Sequence, residues 1–188
     1  MATARTMSPS LADHHRAMAR NNLWSNHRLY DACAALPDAE YHAERTSFFP
    51  SIHATLNHIL TVDWYYTDAL EGGGRGPAAY ADPVPFAHLV DLRAAQAEVD
   101  RRLLAFCEAL TPAALGARIV LDRGGGVRFT ESAGAVLAHL FVHQIHHRGQ
   151  VHAMLAGTSV APPQLDEFFL EMDRPLRAAE LAALGIKG

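Results

Sequence analysis

The sequence predicts an all-α protein folded as a four-helix bundle. Four long segments carry apolar residues at spacings of three and four, which is typical of amphipathic helices. Only residues 117–130 show the β-rich pattern of strands. Four long helices in a chain of 188 residues favour a bundle. The length predicts one domain, residues 1–188.

The first predicted helix covers residues 10–36. Ser10 can cap its start, because Asp13 stands three residues later, as in a capping box. Pro37 ends this helix, since the residue before a proline disfavours the α conformation. Leucine and cysteine side chains form an apolar stripe near its end, so we expect that end to pack against the core.

The next two predicted helices follow after a short apolar turn. The second helix covers residues 51–70, with Ser51 as its cap, and the run Gly72–Gly73–Gly74 ends it. The third helix covers residues 85–110, where charged residues fall between regularly spaced apolar ones. Both patterns predict helices that bury one face.

A hairpin and the last long helix complete the predicted bundle. Two β-rich runs within residues 117–130 flank Gly124–Gly126, which indicates a β-hairpin. Thr130 then caps a fourth long helix over residues 131–156. A short C-terminal helix is predicted at residues 164–173, followed by a polar, Ala-rich tail.

The composition excludes several classes of protein. The net charge of −4 and the absence of any basic run argue against a nucleic-acid-binding surface. No segment is apolar enough for a membrane span or a secretory leader, so we expect a cytoplasmic protein. Cys33 and Cys107 each lie in an apolar helical pattern and are interpreted as buried free thiols.

The fourth helix carries five histidines within residues 139–152. At about 100° per residue, His139, His143 and His147 form one row, and Gln150 continues it. His146 lies to one side of that row, and His152 lies on the opposite side of the helix. A pair of histidines four residues apart can bind one metal ion, but such a pair needs a third ligand from another helix.

The second helix offers two candidates for that third ligand. His58 lies among apolar residues and therefore on or beside the core face, whereas His53 is about 140° away from it. His58 is therefore the better candidate. Helix geometry alone leaves two interpretations open: the three histidines bind a metal, or they are hydrogen-bonded core residues. Asp63 is about 140° from His58 and is not proposed as a general base.

Several stretches of the chain resemble one known family. The string HLFVHQIHHRGQ looks like the signature of the DinB family, also described as DinB/YfiT-like metalloenzymes. SIHATLNHILTVDWYY is similar to the family's region around its first ligand histidine, and NNLWSNHRLYDACAALPDAEY is similar to its opening helix. PPQLDEFF resembles its segment after the bundle. The resemblance covers residues from about 15 to about 170.

The resemblance implies an up-down-down-up bundle that forms a homodimer. It also implies one divalent metal ion, bound by His58, His143 and His147. Three imidazoles suit zinc or nickel first, and also iron or copper. His139 and Gln150 are then candidates for supporting those ligands. In that setting Gly149 predicts a close approach of another helix. Arg148 is expected to pair with a carboxylate at the bundle surface or, less favoured, to reach an anionic ligand.

The resemblance further implies the chemistry. Characterised relatives are thiol S-transferases or thiol-dependent isomerases, so we expect a metal-dependent transferase, or a hydrolase, that activates a low-molecular-weight thiol or water. No residue stands out as a general base, and the catalytic residues are unassigned. The alternative is a non-catalytic, stress-associated protein in which the metal is structural. A di-iron carboxylate site is excluded, because the chain contains no Glu-x-x-His motif.

The aromatic run Trp64–Tyr65–Tyr66 has two interpretations. It either faces a partner or a ligand pocket, or it is buried in the core.

Overall fold

The computed structural model describes residues 9–187. The two ends of the predicted domain, residues 1–8 and 188, lie outside the described residues. The helices are α1 (Leu11–Ala34), α2 (Asp38–His42), α3 (Ile52–Leu70), α4 (Leu89–Glu108), α5 (Ala133–Leu155) and α6 (Arg174–Leu184). Short 3₁₀ turns lie at Gly76–Tyr80, Ala114–Gly116 and Glu171–Asp173. The strands β1 (Arg118–Gly124) and β2 (Val127–Ser132) form an antiparallel hairpin. The predicted helical fold class is therefore confirmed.

Contacts between α1 and α4 fix the direction of the third long helix. Arg20 of α1 binds Glu108 near the end of α4, and Asp31, later in α1, binds Arg93 near the start of α4. Later positions of α1 thus contact earlier positions of α4. The two helices are therefore antiparallel.

Contacts of the other two long helices complete the topology. Asp63 of α3 accepts a hydrogen bond from Gln96 of α4, and Glu71, directly after α3, binds Arg102, later in α4. These two helices therefore run parallel. Along α5, the ring of Phe141 packs on His15 of α1, and Arg148 lies beside Asn22, further along α1. Because α5 thus runs parallel to α1, the bundle is up-down-down-up, as expected.

Serine side chains cap α1, α3 and α5, whereas α4 follows His88 and has no side-chain cap. The Asp13 backbone N–H donates to Ser10 Oγ, and the Asp13 carboxylate accepts from the Ser10 backbone N–H, which completes the predicted capping box. Ser51 caps α3 as predicted. The prediction of Thr130 as the cap of α5 was wrong. Thr130 is still paired in the hairpin, and Ser132 accepts from the N–H of Ala135 instead.

The start of α4 differs from the predicted boundary. Residues 85–88 precede the helix rather than forming its first turn. The backbone N–H of Phe86 donates to Asn57 Oδ1, 3.1 Å away, and its carbonyl accepts from the Asn57 amide. Because these bonds tie the backbone to α3, it is not free to begin a helix.

Glycine is required at the tip of the hairpin. Gly124, Gly125 and Gly126 have φ angles of 84°, 58° and 81°, in the left-handed region that other residues rarely adopt. The predicted hairpin is confirmed, with Leu121 opposite Phe129 in its register.

The C-terminal helix lies later in the chain than predicted. Residues 164–170 are not helical, and α6 occupies the stretch that was expected to be a polar tail. The ring of Phe168 packs 5.5 Å from that of Trp24, and Arg28 bonds the carbonyl of Gln164. These contacts with α1 outweigh the local helical pattern. Leu181 of α6 packs in one small apolar cluster with Trp24 and Phe168.

Two apolar clusters form the core of the bundle. One includes Leu103 and Leu137, and the other includes Leu60 and Val151. Burying one such side chain contributes about 1.5–3 kcal/mol. Cys33 and Cys107 are buried as expected, and Tyr65 and Tyr66 are buried too while Trp64 is partly buried, which favours core burial for the aromatic run.

A layer of polar side chains separates the two clusters. Along every long helix, at least one of these residues falls between residues of one cluster and residues of the other. All of them are buried. The polar layer consists of Asn22, Asn26, Asp63, Gln96, Asp100, Gln144 and Arg148.

No helix within residues 9–187 combines the length and the apolarity that crossing a membrane requires.

Candidate metal centre

Two facing helices bring three histidines together. His58 comes from α3, and His143 and His147 come from successive turns of α5. One ring nitrogen of each lies within 4.8 Å of the others. The Nε2 atoms of His58 and His143 are 3.0 Å apart, and the rings of His143 and His147 have centroids 4.4 Å apart. This three-histidine group could bind a metal ion.

Burial keeps these imidazoles neutral. Burial, and then electrostatic repulsion from His147, lower the pKa of His58 to about 4. Burial and the neighbouring histidines lower the pKa of His143 to about 3, and burial also lowers the pKa of His147. A neutral imidazole has a free nitrogen lone pair, which is the form that binds a metal. The group is therefore ready to coordinate at neutral pH.

Gln150 orients one of the three rings. Its Oε1 lies 2.8 Å from Nδ1 of His147, so Nδ1–H donates and Nε2 keeps its lone pair for the cluster. The amide of Gln150 in turn donates to Nε2 of His146, 3.1 Å away. By contrast, Nδ1 of His143 is buried with no hydrogen-bond partner among the described residues.

The spacing of the nitrogens fits a tetrahedral ion. With metal–nitrogen distances of about 2.0–2.1 Å, two nitrogens on one tetrahedral zinc are about 3.3–3.4 Å apart. The His58–His143 separation of 3.0 Å is close to that value. The group holds three imidazoles and no carboxylate. Three protein ligands are typical of a catalytic zinc site, whereas structural sites have four.

The other four histidines considered from the sequence do not join the cluster, although the ring of His146 packs 4.8 Å from that of His147. His139 is exposed, and its ring packs 5.1 Å from that of Tyr66. His152 bonds the carbonyl of Pro163, and His53 bonds the carbonyl of Phe86. His146 is exposed and contacts Gln150. Among residues 9–187, only His58, His143 and His147 form a group that could hold a metal ion, and His139 makes no hydrogen bond to them.

An aromatic ring covers the cluster, which the sequence analysis missed. The ring of Phe49 lies 4.3 Å from that of His58 and 5.7 Å from that of His147. The only sequence signal was the apolar turn before α3. A cavity of about 320 Å³ opens beside Phe49 and His58, and Val62 and Tyr80 also line it. Among the described residues, no charged side chain lines this cavity.

The polar layer directly behind the cluster was also missed. Gln144, next to His143, donates to Asp63, which also accepts from Gln96 at 2.7 Å. Burial, and then the charge of Asp100, raise the pKa of Asp63 to about 8. Burial likewise raises the pKa of Asp100 to about 6. The buried setting therefore favours the protonated form of Asp63.

Two expectations for the residues after His147 were wrong. Arg148 is buried rather than at the bundle surface, and its guanidinium donates to Asn22, Asn26 and Gln144. Gly149 is not a point of close helix approach, because a Cβ there would meet no atom within 4 Å. Arg148 instead links α5 to α1 through the polar layer.

Comparison with known proteins agrees with the geometry of the site. The family model of the DinB family matches residues 7–178. The chain belongs to the DinB family. It is also 26% identical over 153 residues to the protein DinB of Bacillus subtilis (strain 168), which covers 75% of this chain and 85% of that protein. The three-histidine cluster and this membership both fit a metal site.

Proposed function

We propose that the protein is a metal-dependent small-molecule enzyme of the thiol S-transferase type. In this proposal His58, His143 and His147 bind one divalent metal ion, zinc or nickel first. The observation that carries the proposal is the convergence of three neutral imidazoles, with no carboxylate among them. Such a donor set leaves the charge of the ion uncompensated and a coordination position open.

The protein's own residues would shape the chemistry. A metal bound here lowers the pKa of a thiol or a water molecule at the open position, which makes it a nucleophile at neutral pH. Gln150 holds His147 in the tautomer that presents Nε2. Phe49 limits the access of water to the rings of His58 and His147. A drier site strengthens the electrostatic effect of the ion.

The apolar cavity beside His58 supports a substrate with a neutral, apolar part. Its walls are mostly aromatic and aliphatic side chains, and its volume of about 320 Å³ suits a small molecule. In the transfer, the sulfur of the thiol forms a bond to an electrophilic carbon of this substrate. The leaving group departs with the bonding pair, and the thiol proton passes to solvent. No side chain is assigned as a general base.

A homodimer is part of the same proposal. Val142 and Ile145 on the outer face of α5 are 66% and 52% exposed, and Phe169 is 53% exposed. Exposed apolar side chains close together favour a protein–protein contact. Sedimentation of the purified chain would measure the association state, and a monomer at all concentrations would contradict this part.

The test is turnover by the metal-loaded protein with a panel of low-molecular-weight thiols and apolar electrophiles. We expect thioether formation that requires the metal and is lost in His143→Ala. His152→Ala is the matched control, because His152 lies on the same helix but outside the cluster. Metal binding that stabilises the fold, without reaction for any pair, would instead support a structural metal in a non-catalytic protein.

A further inference from the structure

A second cavity lies between the hairpin and the start of α5, away from the three histidines. Its volume is about 310 Å³. Arg123 and Phe129 of the hairpin line it, together with Tyr66 of α3 and His139 of α5. The buried side chains of Leu121 and Val136 line it too. It therefore combines an apolar lining with a cation at its edge.

Arg123 is held in place by two tyrosines. Its guanidinium lies 5.1 Å from the ring centroid of Tyr65 and 5.9 Å from that of Tyr66. Its Nη2 also donates to the Tyr66 hydroxyl, 3.1 Å away. A guanidinium fixed by stacking and a hydrogen bond loses little freedom when it binds an anion. The remaining N–H donors of Arg123 are thus preorganised.

No carboxylate neutralises Arg123. Within residues 9–187, no Asp or Glu oxygen lies within 4.0 Å of its nitrogens. Its hairpin neighbour Arg128 differs, because its Nε is 3.3 Å from the carboxylate of Asp122. Arg123 therefore borders the cavity as a cation that has a hydrogen-bond partner but, within residues 9–187, no ion-paired carboxylate.

We propose that this cavity binds the carboxylate of a small organic acid, with Arg123 as the anchor. The planar guanidinium matches a carboxylate, and the ring or chain of the acid lies against Phe129, Leu121 and Val136. The exposed ring of His139 borders the same space and can offer a further hydrogen bond. Glu131 also lines the cavity, so a monocarboxylate fits better than a dianion. This assignment stands apart from the metal site, since it uses different residues.

The test is an NMR titration of the metal-free full-length protein with benzoate. We expect saturable shifts of hairpin and α5 amides, and binding weakened about 10-fold or more in Arg123→Gln, which loses a charge-assisted pair. Arg128→Gln, in the same hairpin, should bind benzoate within about twofold of the wild type. Tyr66→Phe removes the hydroxyl that positions Arg123 and should weaken binding by a smaller factor.

Three results would overturn the assignment. Benzoate affinity unchanged in Arg123→Gln would show that the cation does not anchor the ligand. Equal affinity for the neutral isostere benzamide would show apolar binding only. Benzoate binding that appears only after zinc is added, and is lost in His58→Ala, would place the anion on the metal. Circular dichroism of each variant confirms that the fold is retained, because Arg123 is an exposed residue.

Discussion

His58 and His143 lie 85 positions apart in the sequence, yet their Nε2 atoms are 3.0 Å from each other. Both imidazoles have a pKa far below its usual range because of burial. Two neutral nitrogens facing each other this closely are poorly paired unless a proton or a metal ion lies between them. The antiparallel packing of α3 on α5 therefore creates the central feature of the molecule.

Gln150→Leu should weaken the metal affinity. Gln150 Oε1 accepts from Nδ1–H of His147, and losing such an orienting partner reduces metal affinity about 10–100-fold. Competition with a chromophoric chelator measures the change. Gln164→Leu is the control, because the Gln164 side chain is exposed and far along the chain from the cluster. Equal affinities in the two variants would show that Gln150 does not orient His147.

Phe49→Ala should speed the removal of the metal by a chelator. The Phe49 ring covers His58 and His147, so its loss opens the cluster to water and to small molecules. Phe48→Ala is the matched control, since Phe48 is 80% exposed. The stopped-flow rate of metal loss distinguishes them. A faster rate in Phe48→Ala than in Phe49→Ala would contradict a covering role for Phe49.

Arg148→Met should destabilise the fold by about 3–5 kcal/mol, because it removes one partner from a buried charged network. Arg148 is buried and bonds both Asn22 and Asn26. The control Arg20→Met removes a partly exposed pair with Glu108 and should cost about 1 kcal/mol or less. Urea unfolding of the metal-free protein measures both. If Arg148→Met lowered the free energy of unfolding by less than Arg20→Met does, the polar layer would not stabilise the bundle as described.

The contribution of Asp63 to the stability of the metal-free protein should fall as the pH rises from about 4 to about 8. An unfolded Asp63 loses its proton near pH 3.8, whereas burial raises its folded pKa to about 8. Between those values the native Asp63 keeps a proton that the unfolded state has released, so its contribution to the free energy of unfolding decreases with pH. The partly buried histidines His58 and His143 contribute in the opposite sense below about pH 6.5, so the Asp63 part is measured against a variant that lacks the carboxyl. Denaturant unfolding across this range measures the slope.

Asp63→Asn should remove that part of the slope, because an amide does not titrate. Between about pH 4 and about pH 8, the change in the free energy of unfolding should differ between wild type and variant by on the order of a few kcal/mol. Asp91→Asn on the exposed start of α4 is the control. An unchanged slope in Asp63→Asn would mean that Asp63 is ionised in the folded protein.

Local pattern was enough to predict the histidine row and the long helices. The 100° turn per residue separates His143 and His147 from His152 without any knowledge of the fold. The apolar neighbours of His58 indicated that it faces the core. These inferences succeed because helical periodicity is a property of the segment itself.

Partners that are distant in the sequence explain what the sequence analysis missed. The sequence of α5 alone predicts Arg148 at the surface, but its hydrogen-bond acceptors Asn22 and Asn26 lie 126 and 122 positions earlier in the chain. Asp63 is likewise held by Gln144, 81 positions later. The C-terminal segment was misplaced for the same reason, since Phe168 packs against Trp24. Such contacts arise only when the bundle assembles.

The central claim is that His58, His143 and His147 bind one metal ion. X-ray absorption and elemental analysis of untagged, zinc-loaded protein test it most directly, with each histidine replaced by alanine in turn. The account predicts one ion per chain with three imidazole ligands, and loss of tight binding in these three variants but not in His139→Ala or His53→Ala. Full zinc binding in His58→Ala, or loss of zinc in His53→Ala, would contradict it.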